Sequence, residues 1–448
     1  MRVLERLGLH RPELRAWAMY DWANSAFVLV VITAVFPIYY EKVAAGGAGL
    51  DGATATKWLS YATTGSLALV ALCSPLLGAV GDYLAIRKRL LAVFVALGSA
   101  ASAGLFWVES GDWVPALVLF GIGNLSIFLS FVFYDSLLPH LARSDAELDR
   151  VSTAGYAIGY LGSGLLLIGN LWVIQSPATF GLEAGTLPTR LAFLSVGLWW
   201  ALFSLPVLLR VPEPPRELES DESDAAAGVG AAVGAAVVRL RETLGELRGD
   251  YRHAFRMLVA YMIYNEGIGT IIRMGAIYAA TKEFPETAII VVILLIQFVG
   301  IPFAFLFGWL GPKIGTKNAV LLGLGIYAVI SIVGYLMETL TQFYLMAALI
   351  AVVQGGTQGL SRSLFGSMVP KHKASEFFGF FSIFAKVAGI FGPLVFGLVI
   401  EFTGSVQQAV LSVIVFFIVG ALLLARVDVA EGQRRARAAD SDAAPVSP

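Results

Sequence analysis

Twelve long apolar runs separated by short polar connections organise the chain, at approximately 17–40, 58–81, 90–108, 114–139, 153–174, 190–210, 256–281, 288–311, 318–337, 342–369, 377–400 and 405–425. About 20 mostly apolar residues suffice for a helix to cross the hydrocarbon of a bilayer. The runs lack the alternation of a barrel strand, and lipid offers no water to an open backbone, so each predicts a transmembrane helix. The first run follows Arg2, Arg6, Arg11 and Arg15. It is much longer than the roughly 7–15 apolar residues of a cleaved signal, and reads as an uncleaved signal-anchor.

Composition agrees: 57% of residues are hydrophobic and 14% charged, against roughly 45–50% and 25% in an ordinary soluble domain. The net charge of −1 conceals a segregation of basic residues. Assigning alternate connections to opposite sides places 24 of the 31 Lys and Arg on the side of both termini, 4 on the other and 3 within spans. Cytoplasmic loops carry the basic excess, so the expected location is the cytoplasmic (inner) membrane with both termini cytoplasmic. No nucleic-acid partner is indicated. Cys73 is the only cysteine, which excludes an intrachain disulfide or thiolate cluster. His10, His140, His253 and His372 fall in polar connections and read as solvated; no metal site and no cofactor are expected.

The second half of the chain echoes the first. Gly78 and Gly81 correspond to Gly308 and Gly311, Pro139 to Pro370, and Gly159 and Gly162 to Gly389 and Gly392, at offsets of 230 or 231. Tyr20-Asp21 best matches Tyr264-Asn265 at 244, because the loop 41–57 is longer than 282–287. Parallel six-span repeats follow, giving halves at 1–211 and 256–426. The linker 212–255 opens with Pro212, Pro214 and Pro215, passes through an acidic stretch and an Ala/Gly-rich one, and reads as flexible. From Val238, the residues Leu240, Leu244, Leu247 and Tyr251 share a helical face among arginines, as in a helix lying on the membrane surface. The tail 427–448, ending in Ala, Asp, Ser and Pro, is expected to be disordered.

Charges inside a span cost about 2.5–3.5 kcal/mol each on insertion scales and mark pathways or partners. Those here are Asp21 in span 1, Asp135 in span 4, Glu266 and Arg273 in span 7, Arg362 in span 10 and Lys386 in span 11. At 1.5 Å rise per residue, Asp21 and Arg362 lie roughly 9–10 Å from the terminal side, and Glu266 and Lys386 roughly 15 Å. Equal depth makes each pair of opposite charges a candidate partnership. Structural ion pairing is the competing role, above all for Asp135 and Arg362 near the span ends. Asn24 and Asn265 stand beside the acidic positions and, with Asp21, Glu266, Arg273, Arg362 and Lys386, form the candidate solute or ion pathway. Proton coupling through Glu266 or Asp21 is a hypothesis from their burial. Gly355, Gly356 and Gly359 lack the Lys-Ser/Thr of a nucleotide loop and read as close helix packing.

The turn between spans 2 and 3 reads Gly78-Ala-Val-Gly-Asp82-Tyr-Leu-Ala85-Ile-Arg87-Lys88-Arg89. It resembles the signature of the major facilitator superfamily, G-x-x-x-D-x-x-G-x-R-K, with Ala85 in place of the second glycine. Gly78, Asp82, Arg87 and Lys88, with Asp135, are the candidate conformational latch; as a plain alternative, Arg87–Arg89 are positive-inside anchors. The second half keeps Gly308, Gly315 and Lys317 but has Pro312 where the acid would stand. Tyr20–Phe27, Tyr264–Met274 and Gln354–Pro370 resemble the autophagy-related vacuolar effluxer branch of that superfamily. The resemblance implies an all-α membrane protein of twelve helices, with spans 1, 4, 7 and 10 lining a central cavity and 3, 6, 9 and 12 facing lipid. The charge map agrees, since the latter four carry no interior charge. It further implies a secondary transporter rather than an enzyme, moving a small solute, with amino-acid efflux the implied activity. A monomer in the bilayer is the expected working unit. A receptor or scaffold of the same fold, or a transporter of sugars, drugs or lipids, is the alternative.

Overall fold

The computed structural model describes residues 2–218, 242–442 and 444–445. Among the described residues, ten helices are long and apolar enough to cross a membrane. They include α1 (Pro12–Ala48), α2 (Gly52–Tyr83), α3 (Arg87–Trp107), α4 (Trp113–Leu141), α5 (Asp145–Gln175) and α6 (Leu187–Arg210). The others are α8 (Glu286–Ile314), α9 (Thr316–Tyr335), α10 (Leu340–Gly366) and α12 (Val406–Ala425). Two more helices of 30 residues each, α7 (Arg252–Thr281) and α11 (Ala374–Thr403), complete twelve in the order expected. They contain Glu266, Arg273 and Lys386. Several helices begin beyond the apolar run because polar caps start them earlier. Asp51 accepts from the Thr54 N–H at 2.9 Å, Ser144 from the Glu147 N–H at 3.2 Å, and Thr339 forms a capping box with Gln342. α1 is wound as π-helix over Phe27–Val35 and Tyr40–Ala45, on either side of Pro37.

Packing repeats with a period of six helices. Within the first six, α1 packs on α5 and α6, α2 on α4, and α3 on α4 and α6; within the second, α7 packs on α11 and α12, α8 on α10, and α9 on α10 and α12. Across the halves α2 meets α11 as α8 meets α5, and α4 meets α11 as α10 meets α5. The buried apolar side chains form two main clusters, one drawn from residues 9–211 and one from 247–427. Large apolar side chains such as Leu72, Leu198, Leu209 and Phe402 point outward, as a lipid-facing belt requires.

Two expectations for the connecting segments change. Residues 242–248 are helical, but Leu247 and Tyr251 are buried in the second cluster, and Lys373 bonds Glu246 at 2.9 Å. Of the described apolar face, Leu247 and Tyr251 therefore turn into protein while Leu244 stays exposed; Val238–Arg241 lie outside the described residues. The tail is a helix, α13 (Val429–Asp442), not a disordered segment. Its Ala, Arg, Glu and Gln content favours helix, Glu431 pairs with Arg434 and Arg435, and Gly432 and Ala436, four apart, form its buried stripe against the second half. Both termini lie at one end of the bundle: Arg11 bonds the Leu141 carbonyl and Glu147, and Arg437 bonds Asp145. A two-residue antiparallel pairing of Glu217–Leu218 with Ala444–Pro445 closes that end.

Candidate functional site

Arg362 of α10 enters the first half and stands between two carboxylates, 3.3 Å from Asp21 on α1 and 3.0 Å from Asp135 on α4. Its Nε donates to Ser152 Oγ at 2.9 Å and Nη2 to the Ser152 carbonyl at 2.8 Å, while Tyr134 donates to Asp21 at 2.9 Å. The guanidinium also lies 4.8 Å from the ring centre of Trp17, 5.5 Å from Tyr134 and 4.9 Å from Tyr156. All three charged side chains are buried, so the charge is compensated by geometry and not by water. Gly155 makes the room: a Cβ there would collide with Asp21 and lie 3.2 Å from Arg362 Nη2. Depth alone places Asp21 with Arg362. Asp135, expected in the latch, belongs instead to this cluster.

The two halves repeat a hydroxyl pair beside the site. Tyr20 on α1 donates to Ser130 on α4 at 2.6 Å, and Tyr264 on α7 bonds Ser361 on α10 at 2.6 Å. These are the offsets of 244 and 231 that relate the halves in sequence. Asn24 is buried, and among the described residues no protein group bonds its Nδ2. Asn265 accepts from Gln358 at 2.8 Å, and Gln358 accepts from Tyr261 at 3.2 Å.

Glu266 and Lys386 do not pair. Glu266 accepts from the Gly392 N–H at 2.6 Å and from Arg273 at 3.3 Å, with Thr270 beside it. Lys386 reaches across the interface and sets Nζ 3.2 Å from the ring centre of Phe128 on α4. Equal depth specifies height but not direction around a helix. Lys386 and Gly392 are six residues apart on α11, about 240° of rotation, so one meets α4 and the other α7.

The turn after α2 joins the halves. Asp82 holds Arg87 at 2.6 Å and accepts the N–H groups of Ser375 at 3.2 Å and Glu376 at 2.9 Å, at the start of α11. A carboxylate at a helix N-terminus meets unpaired donors and the positive end of the dipole. Arg87 also donates to Ser375 Oγ at 3.1 Å and to the carbonyls of Lys371 and His372, with His140 Nε2 3.1 Å away. Gly78 permits the approach, because a Cβ would strike the Ser375 carbonyl. Lys88 enters through its backbone N–H, which donates to Glu213 at 2.9 Å; burial pushes the Glu213 carboxyl up from its ordinary range. Ala85 holds φ at 50°, the left-handed conformation that explains the glycine of the motif.

Three histidines are not solvated as expected: His253 and His372 are buried, and His140 sits half-buried against Arg87. His253 Nδ1 accepts the Asp428 N–H at 3.0 Å. Among the described residues no group of His, Cys, Asp and Glu is placed to hold a metal. Sequence reasoning missed Ser152, Tyr134 and Asp149, the last because the helix of span 5 begins at Asp145 and not at 153. The capping signal Ser144-x-x-Glu147 would have moved that start.

The polar contacts between halves gather toward the terminus-bearing face. Besides those above, Ser152 donates to the Gly359 carbonyl at 2.6 Å and Gln297 to Ser163 at 3.1 Å. Among the described residues, no hydrogen bond or ion pair links the connections of the opposite face, 49–51, 108–112 and 176–186 on one side and 282–285, 336–339 and 404–405 on the other.

With this geometry in place, residues 10–437 match the family described as "Vacuole effluxer Atg22 like". The chain belongs to that family. The Bacillus subtilis uncharacterized MFS-type transporter YxiO is 34% identical over 418 residues, covering 92% of this chain and 94% of the relative. Autophagy-related protein 22 of Kluyveromyces lactis is 25% identical, covering 79% and 75%. Among solved structures, the human organic anion transporter MFSD10 superposes with a TM-score of 0.65 at 15% identity, covering 92% of this chain and 99% of that one. The proton:xylose symporter XylE superposes with a TM-score of 0.66 at 14% identity, covering 97% and 98%. These likenesses show the major facilitator fold. An Atg22-like chain of this kind is a multi-pass membrane protein of a secondary transporter family that handles small solutes, and not an enzyme.

Proposed function

We propose that this Atg22-like protein carries a small polar solute across the cytoplasmic membrane by alternating access, and that its structure is the state closed at the terminus-bearing, cytoplasmic face. One observation carries the reading: the buried Asp21–Arg362–Asp135 cluster is built from both halves, so parting them at that face must break it. Latch contacts on the same side and, among the described residues, the lack of polar links at the opposite connections support the same state.

Amino-acid export is the activity we favour. The family description supports efflux. Lys386, held by an aromatic face, and Glu266, whose Oε2 has no protein partner among the described residues, supply an anion-binding and a cation-binding group in the interior. A zwitterion has both complements. Glu266 and Asp21 are also the carboxylates through which a proton would be coupled.

The test is counterflow of labelled amino acids in proteoliposomes of the purified chain. Solute exchange above protein-free vesicles, lost in Lys386→Ala, is expected. No exchange of any amino acid would set the amino-acid reading aside. Unchanged proton-driven flux in Glu266→Gln and Asp21→Asn would remove those residues from coupling.

A further inference from the structure

The second half lacks the acid of the latch motif, having Pro312 in its place, yet a carboxylate stands at the matching interface. Asp149, one turn into α5, is 2% exposed. Its Oδ2 accepts from Thr316 Oγ1 at 2.7 Å, at the first residue of α9, and its Oδ1 accepts from Ser363 Oγ, in the last turn of α10. Gly311 on α8 lies against it, where a Cβ would come 2.8 Å from Oδ2. Gly308 lies one turn earlier against Thr153 of the same helix. Under the six-helix repeat, the α2–α11 contact corresponds to α8–α5. The first latch puts its acid in the last turn of α2 and its donors at the start of α11. The second reverses this, with the acid at the start of α5 and donors on α9 and α10.

We propose that Asp149 is the second conformational latch, supplied by the first half to grip the second. The proposal rests on the alternating-access reading. Its chemistry differs from the first latch in one respect. Asp82 has Arg87 as a permanent partner within its own half, whereas among the described residues no ion pair reaches Asp149, and its donors Thr316 and Ser363 both belong to the other half. Closing the face strips water from the carboxylate and replaces it with two hydroxyls; opening returns it to water. Removing the hydroxyls leaves a desolvated carboxylate without donors and favours opening. Asp149→Asn keeps hydrogen-bonding capacity without the charge, and so removes the drive to rehydrate. Asp149 is thus a positioning residue that sets the balance between the closed and open states without needing to touch solute.

The experiment uses full-length protein in nanodiscs with Cys73→Ala and Val369→Cys. Val369 is 2% exposed and lines a crevice of about 400 Å³ between Pro139, Ala142 and Leu148 of one half and Ser367 and Lys371 of the other. The rate of labelling by a water-soluble maleimide reports opening. Thr316→Val with Ser363→Ala should raise that rate by roughly a hundredfold or more, as loss of two hydrogen bonds to a buried carboxylate implies. Each single change should fall between, and Asp149→Asn should leave the rate unchanged or lower. A fall in thermal stability with no change in labelling would overturn the proposal, since a purely structural contact gives that result. Asp82→Asn is the control. If it raises labelling while the hydroxyl variants do not, Asp149 is no latch but the halves still part; if neither does, the alternating-access reading fails with it.

Discussion

Arg362 shows how much a single side chain is asked to do. Two carboxylates, a serine and three aromatic rings surround one guanidinium. Removing it strands Asp21 and Asp135 without compensation, and the expected cost of Arg362→Ala is about 3–5 kcal/mol. The triple change Asp21→Asn, Asp135→Asn, Arg362→Met removes the whole charge set and should be less destabilising than Arg362→Ala alone. Thermal unfolding in detergent compares them directly, and a triple variant less stable than the single would refute the compensation argument. Arg362→Lys should also fail to support transport, because an ammonium cannot fork to two carboxylates while stacking between rings. Ala85 offers a change in the opposite direction. It occupies a left-handed conformation at φ 50°, which costs an L-residue about 1–2 kcal/mol. Ala85→Gly should therefore stabilise the protein by roughly 1 kcal/mol, after allowing for the looser unfolded chain; an unchanged or lower melting temperature would count against strain at this turn.

At the scale of elements, the apolar runs and the six-helix repeat were legible because lipid imposes length, and because glycines and prolines mark the same heights in both halves. Pairing was legible only in part. Asp21 and Arg362 could be matched by depth, but Glu266 and Lys386 could not, since depth leaves rotation about the helix axis undetermined and α11 turns these contacts to different neighbours. Asp149 was hidden because hydropathy locates the hydrocarbon-embedded part of a helix and not its polar first turn. The tail was misread for a related reason: a segment too polar to bury a core by itself gains structure when Gly432 and Ala436 find a surface. The glycine contacts make their own prediction. Gly78 meets the Ser375 carbonyl, and Gly379 would bring a Cβ to 2.7 Å from Pro75 Cα. Gly78→Leu or Gly379→Leu should wedge α2 from α11 and raise maleimide labelling of Val369→Cys in the Cys73→Ala background, while the distant Gly65→Leu, which meets nothing within 4 Å, should not.

For the whole molecule, the consequential feature is asymmetry between the two faces of a nearly symmetric bundle. The packing pairs repeat faithfully from one half to the other, yet the polar and charged contacts between halves concentrate toward the terminus-bearing face. Symmetric scaffolding with contacts gathered on one side is what a rocking mechanism requires, since the same interface must serve in both states. The most direct measurement places spin-label pairs on opposite faces of the full chain in nanodiscs. One pair joins Arg210 and Arg426 at the terminus-bearing face, and the other joins Glu109 and Glu338 at the far face, in a Cys73→Ala background. On introducing Asp82→Asn, the first distance should lengthen and the second shorten. Both distances unchanged, or both moving in the same direction, would contradict alternating access.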